Sequence, residues 1–432
     1  MRMLHNLCLT TVLVFGIPPF SGHVLAAADV SGEWEFAGVY LNDTNYARVT
    51  LQTDGEKLTG RLNELKLEGT MKGSELAFGA RRPNGASFGD FTGKVAGNRL
   101  SGTAVWAGDR KVNWWAKRAA MPPATPQVHD FEPAQFHRVF SDAIAPALRI
   151  FPGDTVRTWT VDAGGVDSKG VTRSPGGNPQ TGPFYVEGAL PGDTLVVKLN
   201  RVRLNRDYAN SGNRIVPTAV SPNYVQGTKY AEKFDSTWVL ERERGIARLK
   251  NPSLHLTNYT VKLQPMLGCI AVAPPGHQAF RTGFLGSYGG NLDYNQLREG
   301  TTVYLPVYAP GALLFVGDGH AAQGDGELTG DALETSMDVE FTVGLVKGAM
   351  NSGPRAENDD YLMALGIANS LPDALRAATT ELAEWLQRDY RLQPDEAALV
   401  LGTALEYNIA EVVDPLVHVV AKLRKEHLRR LK

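Results

Sequence analysis

Between residues 29 and 118 the chain is cut by turn signals, among them Asp54-Gly55, Lys72-Gly73, Gly97-Asn98 and Gly108-Asp109. They recur about every 8–12 residues and separate short runs in which apolar and polar residues alternate, which restricts the stretch to an antiparallel meander or small barrel. The Leu-Thr-Gly and Leu-Ser-Gly sequences at 58–60 and 100–102 fit hairpins of similar build. Trp34, Trp106, Trp114 and Trp115 either line a ligand groove or plug the barrel, and the second is the commoner use of such residues. No constellation of acid, His and Lys occurs here. The stretch reads as an accessory module, closed by a Pro/Ala-rich linker at 119–126.

Residues 127–354 read as a second, larger β-rich domain. A Pro-Gly-Asp-Thr turn at 152–155 leads into an apolar run, and the same device returns at 191–194 and, more loosely, at 310–313. Such repetition argues for hairpin-like units, not alternating βαβ units. Residues 201–250 are more polar and read as an insertion, a lid or an interface arm. From 355 to 432 the pattern becomes helical. Ser370-Leu371-Pro372-Asp373 has the form of a helix start, Pro394-Asp395-Glu396 opens a second helix, and a third is expected from Ala410, with Val413, Leu416, Val417 and Val420 on its inner side. The fold class expected is thus mainly β with C-terminal helices that cover the β-domain or form an interface.

Residues 1–28 have the form of a secretory signal: Arg2, an apolar stretch at 7–15, and Leu25-Ala26-Ala27-Ala28 as a cleavage site. Pro18 and Pro19 stop the apolar run well short of the roughly 20 residues that a membrane span needs. A periplasmic or secreted location follows, with no stable membrane insertion. Cys269 is then the one cysteine left, so the fold must be held by its core and not by an intrachain disulfide. The formal charge of −2 argues against nucleic acid as a partner.

The chemistry concentrates in residues 287–327. Two apolar runs, 302–308 and 312–316, are expected as buried strands, and the second leads into Gly317-Asp318-Gly319-His320. Glycines beside Asp318 allow close approach of backbone to a ligand. Asp318 and His320, two residues apart, can supply oxygen and nitrogen to one divalent cation, with Glu327 following as general base or acid. Asp162 and Glu187, at the ends of comparable apolar runs, are further metal ligands or support for them. Glu187 has a competing reading as half of a buried salt bridge. Cys269 could serve as a nucleophile, but its neighbours Met266, Leu267, Ile270 and Val272 favour a buried small hydrophobe.

Four segments in order, GPFYVEGALPGDTLVVKL (182–199), GCIAVAPP (268–275), GGNLD (289–293) and LPVYAPGALLFVGDGHAAQGDGE (305–327), resemble the acetamidase/formamidase family. The likeness covers about 128–420 and implies a β-rich hydrolase of short linear amides that binds a divalent metal. Zinc is the first expectation, with calcium or magnesium as alternatives. The resemblance implies Asp162, Glu187, Asp293, Asp318, His320 and Glu327 as the matching positions; Asp293 rests on it alone, as a catalytic carboxylate beside Glu327. His137 lies near the family's early histidine. A small amide as substrate and a homo-oligomer are expected. The signal and the N-terminal module depart from ordinary members. The competing expectation is an exported small-molecule or carbohydrate-binding protein on the same scaffold, without turnover.

Overall fold

The computed structural model describes residues 29–106, 108–429 and 431; the expected signal segment, 1–28, lies outside them. The chain divides into two compact units at Arg118. None of the described helices is long and apolar enough to cross a membrane.

The first unit is a closed barrel of eight antiparallel strands, from Gly32–Tyr40 to Arg110–Arg118, each paired with the next and the last with the first. Its alternating residues send Trp34, Leu51, Leu67, Phe78, Phe91, Leu100 and Trp114 inward as one core. The Trp114 indole N–H donates to the backbone oxygens of Thr92 and Thr103. The interior void is only about 10 Å³, so these side chains fill the barrel. The repeated Leu-(Thr/Ser)-Gly sequence has a steric cause. A Cβ on Gly60 or Gly102 would overlap the backbone oxygen of Thr50 or Thr92 on the neighbouring strand.

The second unit packs two large sheets around a common core. A nine-stranded sheet contains Thr194–Leu204 and Met337–Val346 at its centre. The other sheet has eleven strands, with Leu314–His320 flanked by Met266–Ala271, Glu334–Thr335 and Thr181–Val186. Phe184 of one sheet meets Phe341 of the other edge-to-face, centroids 5.3 Å apart. Leu195, Val197, Ile270, Phe315 and Val339 complete the contact, and burial of this apolar surface is the main force holding the sheets together. The polar segment 201–250 is no free arm: Tyr208–Asn210, Thr237–Glu241 and Ile246–Leu249 extend the eleven-stranded sheet.

Helix Leu371–Asp389 starts as its sequence indicates, with Ser370 Oγ accepting from the Asp373 N–H and Pro372 in the first turn. Its buried stripe of Ala374, Ala378, Leu382, Trp385 and Leu386 lies against strands Tyr361–Ala368 and Val417–Arg424. A second helix, Pro394–Ala404, follows. The third expected helix is instead a hairpin, Glu406–Glu411 with Val417–Arg424, joined to the nine-stranded sheet. Region 355–432 is therefore part sheet and part helix. The reason is burial on both faces: Val419, Val420 and Ala421 are all covered, and a doubly buried apolar run has the same pattern in a strand as in a buried helix.

Candidate functional site

The site forms where the centre of the eleven-stranded sheet opens into a cavity of about 610 Å³. Gly317–His320 is not a loop after the strand but its last part, within Leu314–His320. Gly317 and Gly319 are needed for packing, since a Cβ there would overlap the Gln180 side chain or Met337. Gly268 on the adjoining strand leaves room for the carboxylates: a Cβ on it would overlap Asp293 Oδ1 and lie 2.6 Å from Asp318 Oδ2. Asp293, Asp318 and Glu327 all have left-handed backbone, with φ of 38°, 60° and 46°. Such conformations cost non-glycine residues roughly 1–3 kcal/mol each and cluster at functional sites.

Four buried carboxylates converge on one imidazole. His320 Nε2 lies 3.3 Å from Asp318 Oδ1 and 3.1 Å from Glu334 Oε1, and Nδ1 lies 3.9 Å from Asp293 Oδ1. Glu327 accepts from the Ala332 N–H at 3.1 Å and faces the same cavity. Two asparagines fix the carboxylates from the side. Asn178 Nδ2 donates to Asn291 Oδ1 and, at 3.0 Å, to Asp318 Oδ2; Asn291 Nδ2 donates to Asp293 Oδ2 and, at 2.9 Å, to Asp414 Oδ2.

So dense a set of acids cannot all stay ionised alone. Burial, then the charges of Glu327 and Asp318, pushes Asp293 well above the usual carboxylate range. Burial raises Glu327 too, with Glu334 and Asp318 adding to it. Glu334 is pushed to about 7 by burial and by Asp318. Burial also acts against ionised Asp318, but His320 and the surrounding hydrogen bonds outweigh it and hold it below its ordinary value. The same carboxylates overcome the burial of His320 and raise it well above an ordinary imidazole.

A divalent cation fits this donor set. Asp293, Asp318 and His320 each offer a ligand atom within 4.8 Å of the others, and His320, Glu327 and Glu334 do likewise. Asp293 Oδ1 and Glu334 Oε2 are buried with no hydrogen-bond partner, and Asp318 Oδ1 meets only the His320 ring, at 3.3 Å. Buried carboxylate oxygens normally have a cation or a donor, and these three have the charge and chemistry to ligate one.

The other expected residues lie outside the carboxylate–imidazole cluster. Asp162 lines the cavity but is tied to Arg206 Nη2 at 2.6 Å and to the Val166 N–H, so it is a buried anchor of the wall. Glu187 stands outside the cluster, paired with Arg149 at 2.6 Å, the salt bridge that competed with its reading as a ligand. His137 packs its ring against Phe315, and its backbone pairs with Gln180. Cys269 is fully buried, and burial followed by the charges of Asp318 and Asp293 drives its thiol far from ionisation, which disfavours a nucleophilic role. Glu334 and Asp414 were missed. No local motif marks either; Glu334 reaches the site because its short strand pairs with His320, and Asp414 because its hairpin loop returns to Asn291.

Fold and site together describe a β-rich domain with a buried carboxylate–imidazole centre, and the fold is that of solved acetamidase structures. Residues 276–415 match the model of the Acetamidase/Formamidase family. The crystal structure of a predicted acetamidase/formamidase from Thermoanaerobacter tengcongensis is similar in fold, with TM-score 0.60 and 25% identity over 71% of this chain and 99% of that one. The formamidase of Methylophilus methylotrophus is 25% identical over 300 residues, 54% of this chain and 72% of that one. A protein of Schizosaccharomyces pombe is 28% identical over 197 residues, 34% of this chain; the match spans 47% of that relative's length. These likenesses support an amide-hydrolase family.

Proposed function

We propose that this protein is an acetamidase/formamidase-like enzyme that hydrolyses the C–N bond of a linear amide with the help of a divalent cation, zinc in the first instance. The observation that carries the reading is the convergence of Asp293, Asp318, Glu327 and Glu334 on His320, with orphaned oxygens, beside a 610 Å³ cavity. Asp293, Asp318 and His320 would hold the cation, with Glu334 completing the set. When bound, it would polarise the amide carbonyl and make water more acidic.

The remaining steps belong to the chain's own groups. Glu327 faces the cavity, and its raised affinity for a proton suits it to take one from the attacking water and pass it to the departing nitrogen. Asn178 and Asn291 hold the carboxylates in place, so little reorganisation is needed as charge develops. A binding protein without turnover is the weaker reading, because the relatives that this chain resembles are named for amide hydrolysis. Export of the chain, through cleavage after Ala28, is part of the proposal; N-terminal sequencing of protein recovered outside the cytoplasm tests it.

The deciding experiment is metal analysis of the purified protein together with turnover of an amide panel, before and after chelation and zinc reloading. Stoichiometric metal and cation-dependent release of ammonia are expected, both lost in His320→Ala. An active His320→Ala variant that keeps its full metal content would sink the assignment.

A further inference from the structure

The cavity is far larger than the amides for which the relatives are named. Its volume of about 610 Å³ equals some twenty waters at about 30 Å³ each, whereas formamide and acetamide have only a few heavy atoms apiece. Cavities of several hundred Å³ ordinarily hold much larger ligands.

Its charge is unevenly placed. Asp162, Asp318, Glu327, Asp331, Glu334 and Asp414 all line it, but Arg281 is the single basic residue among the described residues that do. Other arginines of this unit that lie near acids are paired, as Arg206 is with Asp162, Arg173 with Asp167 and Arg149 with Glu187. Among the described residues, the Arg281 guanidinium has no carboxylate within ion-pair distance and no hydrogen bond.

Arg281 comes from the same wall as Phe284, whose backbone oxygen accepts from the Asn291 N–H at 3.1 Å, so this wall adjoins the carboxylate centre. The sheet order runs from Leu314–His320 through Met266–Ala271 and Gly289–Asn291 to Leu285–Gly286. Three strand steps of about 4.8 Å put this edge roughly 14 Å from the strand that carries His320. Arg281 itself belongs to the short strand Phe280–Arg281, paired with Val139–Phe140 just before this edge, and it lines the same cavity as Asp318 and Glu327.

Resting on the amide-hydrolase reading of this cavity, we infer that its substrate is a linear amide with a carboxylate at the far end, and that Arg281 binds that carboxylate. A short dicarboxylic acid monoamide has this form. A cationic amide would set its charge against Arg281, and a neutral one would form no ion pair with this exposed guanidinium. A planar carboxylate matches them two at a time. The reaction balances as ⁻OOC–R–CO–NH2 plus water giving ⁻OOC–R–COO⁻ and ammonium. The C–N bond breaks, a C–O bond forms, and the protons of water leave with nitrogen.

The test uses the full chain loaded with zinc. Turnover of malonamate, succinamate and glutaramate is compared with that of propionamide, butyramide and valeramide, their neutral counterparts of equal length. Binding of succinate and succinamate is measured separately by calorimetry. At least one monoamide should exceed its neutral counterpart in kcat/KM. Arg281→Gln should shrink that ratio roughly three- to tenfold, through KM, as suits an ion pair at a partly exposed wall. Arg281→Lys should retain part of it. Ratios at or below one for all three pairs, or a ratio that Arg281→Gln leaves unmoved, overturn the inference. If no amide is hydrolysed, calorimetry decides: tighter anion binding by the wild type than by Arg281→Gln keeps the anion site and rejects the hydrolase reading. Equal binding rejects the anion site.

Discussion

Gln323 Oε1 lies 2.9 Å from His320 Nδ1, while the Gln323 amide nitrogen donates to the backbone oxygens of Asp293 and Ala410. The two carbonyls fix which end of the amide faces the ring. The proton of a neutral imidazole therefore sits on Nδ1, and the Nε2 lone pair is aimed between Asp318 and Glu334. Gln323 thereby sets the tautomer that a metal ligand needs. Gln323→Leu should lower zinc affinity about 10- to 100-fold, the usual cost of losing such a supporting bond, with the secondary structure intact. Competition against a chromogenic chelator measures this, and unchanged affinity would remove Gln323 from the site.

Gly268 is the point where the sheet makes space for charge. Gly268→Ala should abolish stoichiometric zinc binding and amide turnover, since the new methyl group would overlap Asp293 Oδ1 and push that carboxylate aside. Gly283→Ala, on the same cavity but with open space at its Cβ, is the control for folding and should keep its metal.

The Asp162–Arg206 pair should prove structural. Both side chains are almost wholly buried, and Arg206 also donates to the Thr335 hydroxyl and to the backbone oxygen of Glu334. Removing one partner of a buried pair typically costs about 3–5 kcal/mol. Arg206→Leu and Asp162→Asn should each lose stability of that order in urea unfolding. Asp162→Asn should still bind zinc at full stoichiometry; loss of the metal with unchanged stability would restore Asp162 as a ligand.

Glu411 makes the pH dependence of stability predictable in sign. Burial, then the nearby charge of Asp414, pushes its carboxyl to about 8. Because the folded state holds this proton more tightly than the unfolded chain, stability is greatest below the unfolded value near 4.5. It falls as pH rises between there and about 8. Glu411→Gln, which cannot ionise, should flatten that slope and raise the Tm relative to wild type at pH 8–9. A steeper slope in the variant would contradict the placement of Glu411.

Much of the site was legible because chemistry and backbone need coincide along the chain. Asp318 and His320 alternate with Gly317 and Gly319 at the end of a buried run, and Glu327 follows within the same glycine-rich segment. Glu187 illustrates the limit. Its apolar context correctly indicated a buried carboxylate, but its partner, Arg149, is 38 residues away in the chain. No local pattern separates a metal ligand from half of a salt bridge. Glu334 shows the reverse case: its neighbours carry no motif, and only the antiparallel register with His320 brings it to the site.

By itself the sequence determined the barrel, whose glycine turns and alternating residues are local constraints of period two. It also determined the β-rich nature of the larger unit, the start of helix Leu371–Asp389, and the segment where the chemistry concentrates. Tertiary structure decided the rest. It turned the last expected helix into a hairpin, because a doubly buried run is decided by what covers it and not by its period. It likewise sorted six expected site residues into a cluster of four, a wall anchor and a remote salt bridge. A carboxylate's role depends on which charge lies within a few ångströms, and that distance is set by strand pairing between segments far apart in the chain.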